Sequence, residues 1–244
     1  MASISTQLEL VRKRIDKACT DAGRQPRSVT LLAVSKTFGP QAVIEAVQAG
    51  QRDFGENYVQ EGVDKIAALE AWARTQDRAP PLRWHFIGAL QSNKTRAVAE
   101  HFDWVHGVDR LKIAQRLSEQ RPAHLAPLQV CLQVNIDGGL NKAGVAPQDA
   151  LALARAVQGL PGLMLRGLMT IPEPAIDQAA ALRVHERARE LWQTLNRQLQ
   201  QPLDTLSMGM SADLEAAISA GSTCVRVGTA IFGSRSAAAA SSHP

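Results

Sequence analysis

Short β-rich runs alternate with helical patterns almost from end to end of this chain, and that alternation restricts its possible folds more than any other feature. Candidate strands are Leu31–Lys36, Arg52–Phe54, Arg83–Gly88, Trp104–Val108, Leu128–Ile136, Leu163–Met169, Asp204–Met208 and Cys224–Val227. Between them the helical patterns are Gln41–Ala49, Tyr58–Arg74, Asn93–His101, Leu111–Gln120, Pro147–Gln158, Asp177–Gln200 and Ala212–Ala220. The clearest is Asp177–Gln200, where Val184, Ala188, Leu191, Leu195 and Leu199 recur at spacings of three and four behind an Asp177 N-cap. Gly50, Gly159 and Gly221 each follow a helix where a left-handed cap is expected. Another amphipathic helix, carrying Leu8, Val11 and Ile15, precedes the first strand. Eight βα units behind one N-terminal helix match a single α/β domain, a (β/α)8 barrel of the TIM type. The competing open doubly wound sheet would carry a GxGxxG turn after its first strand, and this chain has none.

The length of 244 residues suits one such domain, expected over residues 1–235, with a low-complexity tail at 236–244 expected to be disordered. A formal charge of +4 is mild. Its densest cluster, Arg12-Lys13-Arg14 with Lys17, lies on the amphipathic helix without a nucleic-acid-binding motif, so it reads as a solvated face. Cys19, Cys131 and Cys224 show no CxxC spacing, which argues against a zinc site or a disulfide framework and for buried, reduced thiols. No apolar signal core or membrane-length run is present, so the expected compartment is the cytoplasm; with no second domain expected, the expected state is a monomer.

In a barrel of this kind the site sits at the C-terminal ends of the strands, and phosphate commonly binds at the loops after strands seven and eight. Those loops read Ser207-Met208-Gly209-Met210-Ser211 and Gly228-Thr229-Ala230. Glycine lets backbone N–H groups approach a phosphate, and the Ser211 and Thr229 hydroxyls add donors. Ser211 is expected as the N-cap of the next helix. Asp213 and Glu215, in that helix's first turn, would repel an anion, which favours Gly228 and Thr229 over Ser211.

Strand parity places Leu32, Val34 and Lys36 inward on strand one, and Cys224 and Arg226 inward on strand eight. A lysine ending an apolar strand can be desolvated, which lowers its pKa and frees the amine to form an imine. A buried arginine needs a partner: either an internal carboxylate or the ring nitrogen of a pyridine cofactor, which it would keep unprotonated. A lysine beside a phosphate loop suits pyridoxal 5′-phosphate (PLP), an aldehyde that carries a phosphate. Lys94 is a rival lysine, expected at a helix start facing solvent or the rim. His85 alternates with Trp84 and Phe86 and faces inward, as a satisfied core histidine or a group beneath the site. Asn57, Met169 and Met210 are placed where they could line a flat ring, with core filling the commoner role of methionines at such places.

Several motifs occur in order: Ala33-Val34-Ser35-Lys36, Phe54-Gly55-Glu56-Asn57-Tyr58-Val59-Gln60-Glu61, Trp84-His85-Phe86-Ile87-Gly88, Leu90-Gln91-Ser92-Asn93-Lys94, Gly167-Leu168-Met169-Thr170-Ile171, Ser207-Met208-Gly209-Met210-Ser211-Ala212-Asp213-Leu214 and Val225-Arg226-Val227-Gly228-Thr229-Ala230-Ile231-Phe232-Gly233. Together they resemble the pyridoxal phosphate homeostasis protein family, single-barrel relatives of the alanine racemase N-terminal domain. The resemblance implies PLP held as an imine on Lys36, Arg226 at the pyridine nitrogen, and Ser211, Gly228 and Thr229 at the phosphate. It places Asn57 and Met210 near the ring. It also implies a carrier that buffers PLP or delivers it to apo PLP-dependent enzymes, without an established reaction. The stretch Asn135–Lys142 departs most from the family, with Gly139 where an acidic residue is common.

Two enzyme readings compete with the carrier. A PLP racemase or decarboxylase needs an acid or base on each face of the cofactor. The related barrel enzymes add a β domain that closes the site, whereas this chain stops after strand eight, and its one tyrosine is Tyr58. An aldolase-like enzyme forming an imine directly with substrate needs its own acid/base set near Lys36, for which His85 is the one candidate. The carrier is the expectation.

Overall fold

The computed structural model describes residues 2–139 and 143–233. The chain begins with α1 (Ile4–Asp21) and then alternates β1 (Thr30–Val34), α2 (Pro40–Gln48), β2 (Asp53–Glu56), α3 (Val59–Ala73), β3 (Arg83–Phe86), α4 (Thr95–His101), β4 (Trp104–Val108) and α5 (Leu111–Gln120). It continues through β5 (Leu128–Gln133), α6 (Ala150–Gln158), β6 (Leu163–Met169), α7 (Gln178–Gln198), β7 (Thr205–Ser207), α8 (Leu214–Ser219), β8 (Cys224–Val227) and α9 (Thr229–Phe232). The strands are parallel and close in chain order. β1 pairs with β8 in the register Leu32↔Arg226, which brings the first and last strands to one seam. The expected (β/α)8 barrel with an added N-terminal helix is the fold observed.

The strands read as near-continuous apolar runs because both of their faces are covered. One set of alternate residues, including Leu31, Ala33, Phe54, Phe86, Leu132, Leu206, Val225 and Val227, packs with helix residues such as Leu8, Val43, Ile66, Val98 and Leu117. Burying each large apolar side chain contributes about 1.5–3 kcal/mol, so this layer is the main source of stability. The other set fills the barrel and includes polar groups: His85, His106, Gln133, Ser207 and Arg226 are all buried.

Element ends differ from the sequence expectation where side chains rather than periodicity decide. β1 stops at Val34, because Phe38 N–H bonds Ser35 O (3.1 Å) and turns the chain at Lys36 and Thr37. α8 starts at Leu214 with Asp213 at its N-cap, not Ser211. The Asp213 carboxylate accepts Met210 N–H (2.6 Å), and that bond holds residues 210–213 as a turn before the helix. Gly50 and Gly221 take left-handed caps (φ 87° and 102°), whereas Gly159 ends its helix at φ −82°. The short α9 has no apolar periodicity to announce it. The tail expected at residues 236–244, and Leu140, Asn141 and Lys142 of the least family-like stretch, lie outside the described residues.

Candidate functional site

A cavity of about 710 Å³ opens at the C-terminal ends of the strands. Lys36, Asn57, Met210, Ser211, Arg226, Gly228 and Thr229 all line it. Lys36 enters from the turn after β1, just past the strand. Among the described residues its ammonium makes no hydrogen bond or ion pair. The next residue, Thr37, has φ 69°. For a β-branched residue this backbone region costs about 1–3 kcal/mol and persists only where the surroundings enforce it.

Asn57 follows β2 and is pressed by the loop after β3. A Cβ on Gly88 would fall 2.5 Å from Asn57 O, so only glycine permits the approach. Asn57 Oδ1 is buried without a hydrogen-bond donor. A buried acceptor left unpaired costs about 1–3 kcal/mol, so this atom is poised for a ligand's donor.

Arg226 crosses the barrel interior at 4% exposure. It donates to Ser207 O (2.8 Å), Ser207 Oγ (2.7 Å) and Thr170 O (2.8 Å), all neutral acceptors. Burial lowers its pKa, yet arginine starts so high that the guanidinium stays charged at neutral pH. Among the described residues no carboxylate therefore lies within hydrogen-bonding distance to cancel its charge, and the internal salt bridge considered from sequence is not formed there.

Below Arg226 a polar relay descends the barrel. His106 Nδ1 lies 2.9 Å from Ser207 Oγ, His106 Nε2 lies 3.0 Å from His85 Nδ1, and His85 Nε2 lies 3.2 Å from Asp53 Oδ1. Burial lowers the pKa of His85 and drives that of His106 lower still, so both rings are neutral. Burial also opposes charge on Asp53, but the Arg83 pair and the His85 bond outweigh it and hold that carboxyl at about 2. An ionised Asp53 only accepts, so His85 donates Nε2–H to it and His106 donates Nε2–H to His85. Ser207 then donates to His106 Nδ1 while accepting from Arg226. Every proton in the relay points toward Asp53, and the tautomers follow from its two charged ends.

The two carboxylates expected to repel an anion at the phosphate loop are engaged elsewhere. Asp213 turns away to Met210 N–H and His185 Nε2 (2.8 Å), and Glu215 forms a two-pronged pair with Arg14. Burial raises the Asp213 pKa less than His185 and the Met210 amide lower it. Neither carboxylate lines the cavity. Gly209 takes φ 92° in this loop, and a Cβ there would meet Ala217 Cβ at 2.4 Å. On the other side, the Thr229 and Ala230 N–H groups precede the first intrahelical bond of α9, which Ile231 makes to Gly228. Of the two, Thr229 lines the cavity.

His85 does not line the cavity; it sits beneath it as a satisfied core histidine. Lys94 is exposed and Met169 is buried, and neither reaches the cavity. Gln133, Phe38 and Ile171 line it without having been singled out. His106 and Ser207 were also missed, although the parity that turned His85 inward applies equally to His106 between Trp104 and Val108. All three cysteines are buried and free. Burial pushes Cys224 up to about 11 and Cys131 higher, so neither is a ready nucleophile. Among the described residues no helix is long and apolar enough to cross a membrane, and no cluster has metal-ligand composition.

Residues 7–236 match the family model of the alanine racemase N-terminal domain. The pyridoxal phosphate homeostasis protein of Pseudomonas aeruginosa is 58% identical over 235 residues, covering 96% of this chain and 97% of that one. That of Escherichia coli K12 is 52% identical, covering 96% and 98%. The chain belongs to the pyridoxal phosphate homeostasis protein family. A solved structure of PipY from Synechococcus elongatus with PLP bound superposes at a TM-score of 0.81 and 38% identity, covering 95% of this chain and all of that one. Alanine racemase from E. faecalis shares the fold at a TM-score of 0.62 and 17% identity, with this chain spanning 59% of its length. The family's barrel is thus the part this chain has in common with a longer enzyme.

Proposed function

We propose that this protein binds PLP through Lys36 in the cavity above the barrel and holds it for release, acting in PLP homeostasis. The observation that carries the reading is one cavity lined by a lysine and an arginine that pair with no carboxylate among the described residues, beside a Gly-Thr turn that begins a helix. The lining fits the cofactor. The orphan Asn57 Oδ1 marks a place for a ligand donor, Arg226 is assigned to the ring nitrogen, and Ser211, Gly228 and Thr229 are assigned to the phosphate. Met210 and Ile171 supply apolar surface for a flat ring. When bound, PLP offers an aldehyde that condenses with a lysine amine and releases water.

Holding is favoured over turnover by the same lining. Its described residues supply one amine and one guanidinium, with no imidazole, carboxylate or phenol to act from the opposite face. Tyr58 is half exposed and outside it. The names of the relatives and the PLP in PipY support the same reading. Delivery to apo PLP enzymes by a cytoplasmic monomer completes the proposal.

The test is a visible spectrum of purified protein with added PLP, borohydride reduction and peptide mass mapping. A yellow protein with its reduced adduct on Lys36, lost in Lys36→Ala, is expected. An adduct on Lys94 would move the site, and a protein that stays colourless would end the proposal.

A further inference from the structure

The lysine that reaches the cavity is held by a second lysine that does not. Ser35, Lys36, Thr37 and Phe38 form a turn closed by Phe38 N–H to Ser35 O, with Thr37 at its third position in the left-handed region. Turns that need this backbone sign at that position ordinarily place glycine or asparagine there. Threonine has no intrinsic preference for it, so the conformation must be imposed from outside.

The imposing contacts come from β2 and α3. Lys65 is 3% exposed and its three protons have three acceptors: Ser35 O at 2.9 Å, Glu56 Oε1 at 2.6 Å and Glu61 Oε1 at 3.1 Å. Ser35 Oγ donates to the same Glu56 oxygen at 2.6 Å. Thr37 N–H donates to the same Glu61 oxygen that Lys65 engages. The residues before and after Lys36 are therefore tied to one buried ammonium, directly through Ser35 and by way of Glu61 at Thr37. Lys36 lies between the two anchors with its side chain free for the cavity.

We infer that Lys65, Glu56 and Glu61 are positioning residues for Lys36: they clamp the strained turn and aim its amine at the bound aldehyde. A plain α3–β2 ion pair would need only Lys65 and Glu56. What exceeds that need is Glu61 reaching from α3 to the Thr37 amide, and Lys65 spending a proton on the Ser35 carbonyl.

Because it rests on PLP binding at Lys36, the test must separate the two claims. Lys65→Met leaves Glu56 buried and unpaired and risks the fold, so Glu61→Ala is the working variant. Glu61 is partly exposed, and its loss leaves the Lys65–Glu56 pair in place. The probe is PLP itself, followed by the absorbance of the lysine adduct, its pH titration and the melting temperature. Glu61→Ala is expected to weaken PLP about tenfold, the loss of one hydrogen bond to a charged group, and to shift the adduct's pH titration while the melting temperature holds. Glu61→Gln, which keeps an acceptor for Thr37 N–H, should recover most of the affinity. Wild-type affinity and an unshifted titration in Glu61→Ala would overturn the clamp, as would a loss that merely follows the melting temperature. A wild type that binds no PLP at Lys36 would remove the cofactor reading and the clamp with it.

Discussion

Among the described residues two cations, Lys65 and Arg226, are buried, and they are buried differently. Lys65, on the β2–α3 side, has two carboxylates, Glu56 and Glu61, among its three acceptors. Arg226, on the β7–β8 side, is equally hidden, but its acceptors are two carbonyls and a hydroxyl. Burial raises the Glu56 pKa, and Lys65 only partly counters it, so that pair is an expensive arrangement, with Glu56 Oε2 left buried without a donor. Arg226 keeps a net charge facing a cavity. A buried cation matched by a carboxylate holds structure together, whereas one matched only by neutral acceptors is available to a ligand.

Substituting each cation should separate the two roles. Lys65→Met should lower unfolding free energy by about 3–5 kcal/mol, because it strands the fully buried Glu56. Arg226→Ala leaves three neutral acceptors and should cost about 1–3 kcal/mol. Its larger effect should fall on PLP affinity, reduced about 10- to 100-fold through loss of a charge-assisted contact. Denaturant titrations beside PLP titrations measure both. Equal stability losses with unchanged PLP affinity in Arg226→Ala would make Arg226 as structural as Lys65.

The relay below Arg226 sharpens the contrast, because its far end is where a carboxylate does appear. The folded Asp53 pKa of about 2 is depressed from 3.8. Asp53 therefore stabilises the fold above pH ~4, by about 2 kcal/mol, and that contribution is lost as pH falls through about 2. His85 and His106, lowered by burial, act earlier in the same direction: below about pH 6.5 the unfolded chain takes up protons that the native rings refuse. Asp53→Asn should be about 2 kcal/mol less stable at pH 7, with the gap to wild type closing between pH 4 and pH 2. Stability measured by denaturation across that range decides it. A gap of constant size would assign the contribution of Asp53 to packing rather than charge.

The strand-and-helix alternation was enough to read the barrel, because parallel strands covered on both faces leave long apolar runs. Parity was enough for Arg226, since β8 runs unbroken through it. Lys36 was found for a reason that does not hold: it sits in the turn after β1, where strand parity no longer applies, and reaches the cavity from there. The N-cap at Ser211 was misplaced because the Asp213 carboxylate takes the Met210 amide, a contact no spacing rule announces. His106 obeyed the same alternation as His85 and was legible. The clamp of Glu56, Glu61 and Lys65 was not, for it depends on which oxygen each proton meets across two elements.

Ser207 joins the relay to Arg226, and removing only its hydroxyl is the finest cut available. Ser207→Ala leaves Arg226 bonded to the Ser207 and Thr170 carbonyls, so the guanidinium stays in place. His106 Nδ1 loses its donor inside the barrel, at a cost of about 1 kcal/mol. With no acceptor below to order that guanidinium proton, PLP affinity should fall only ~2- to 5-fold, the scale of one neutral hydrogen bond felt at second hand. Nitrogen NMR of His106 should show the Nε2–H tautomer in wild type and a mixed or shifted signal in the variant. Unchanged affinity with a changed His106 signal would confine the relay to holding the barrel together, and Arg226 would then face its ligand unaided from below.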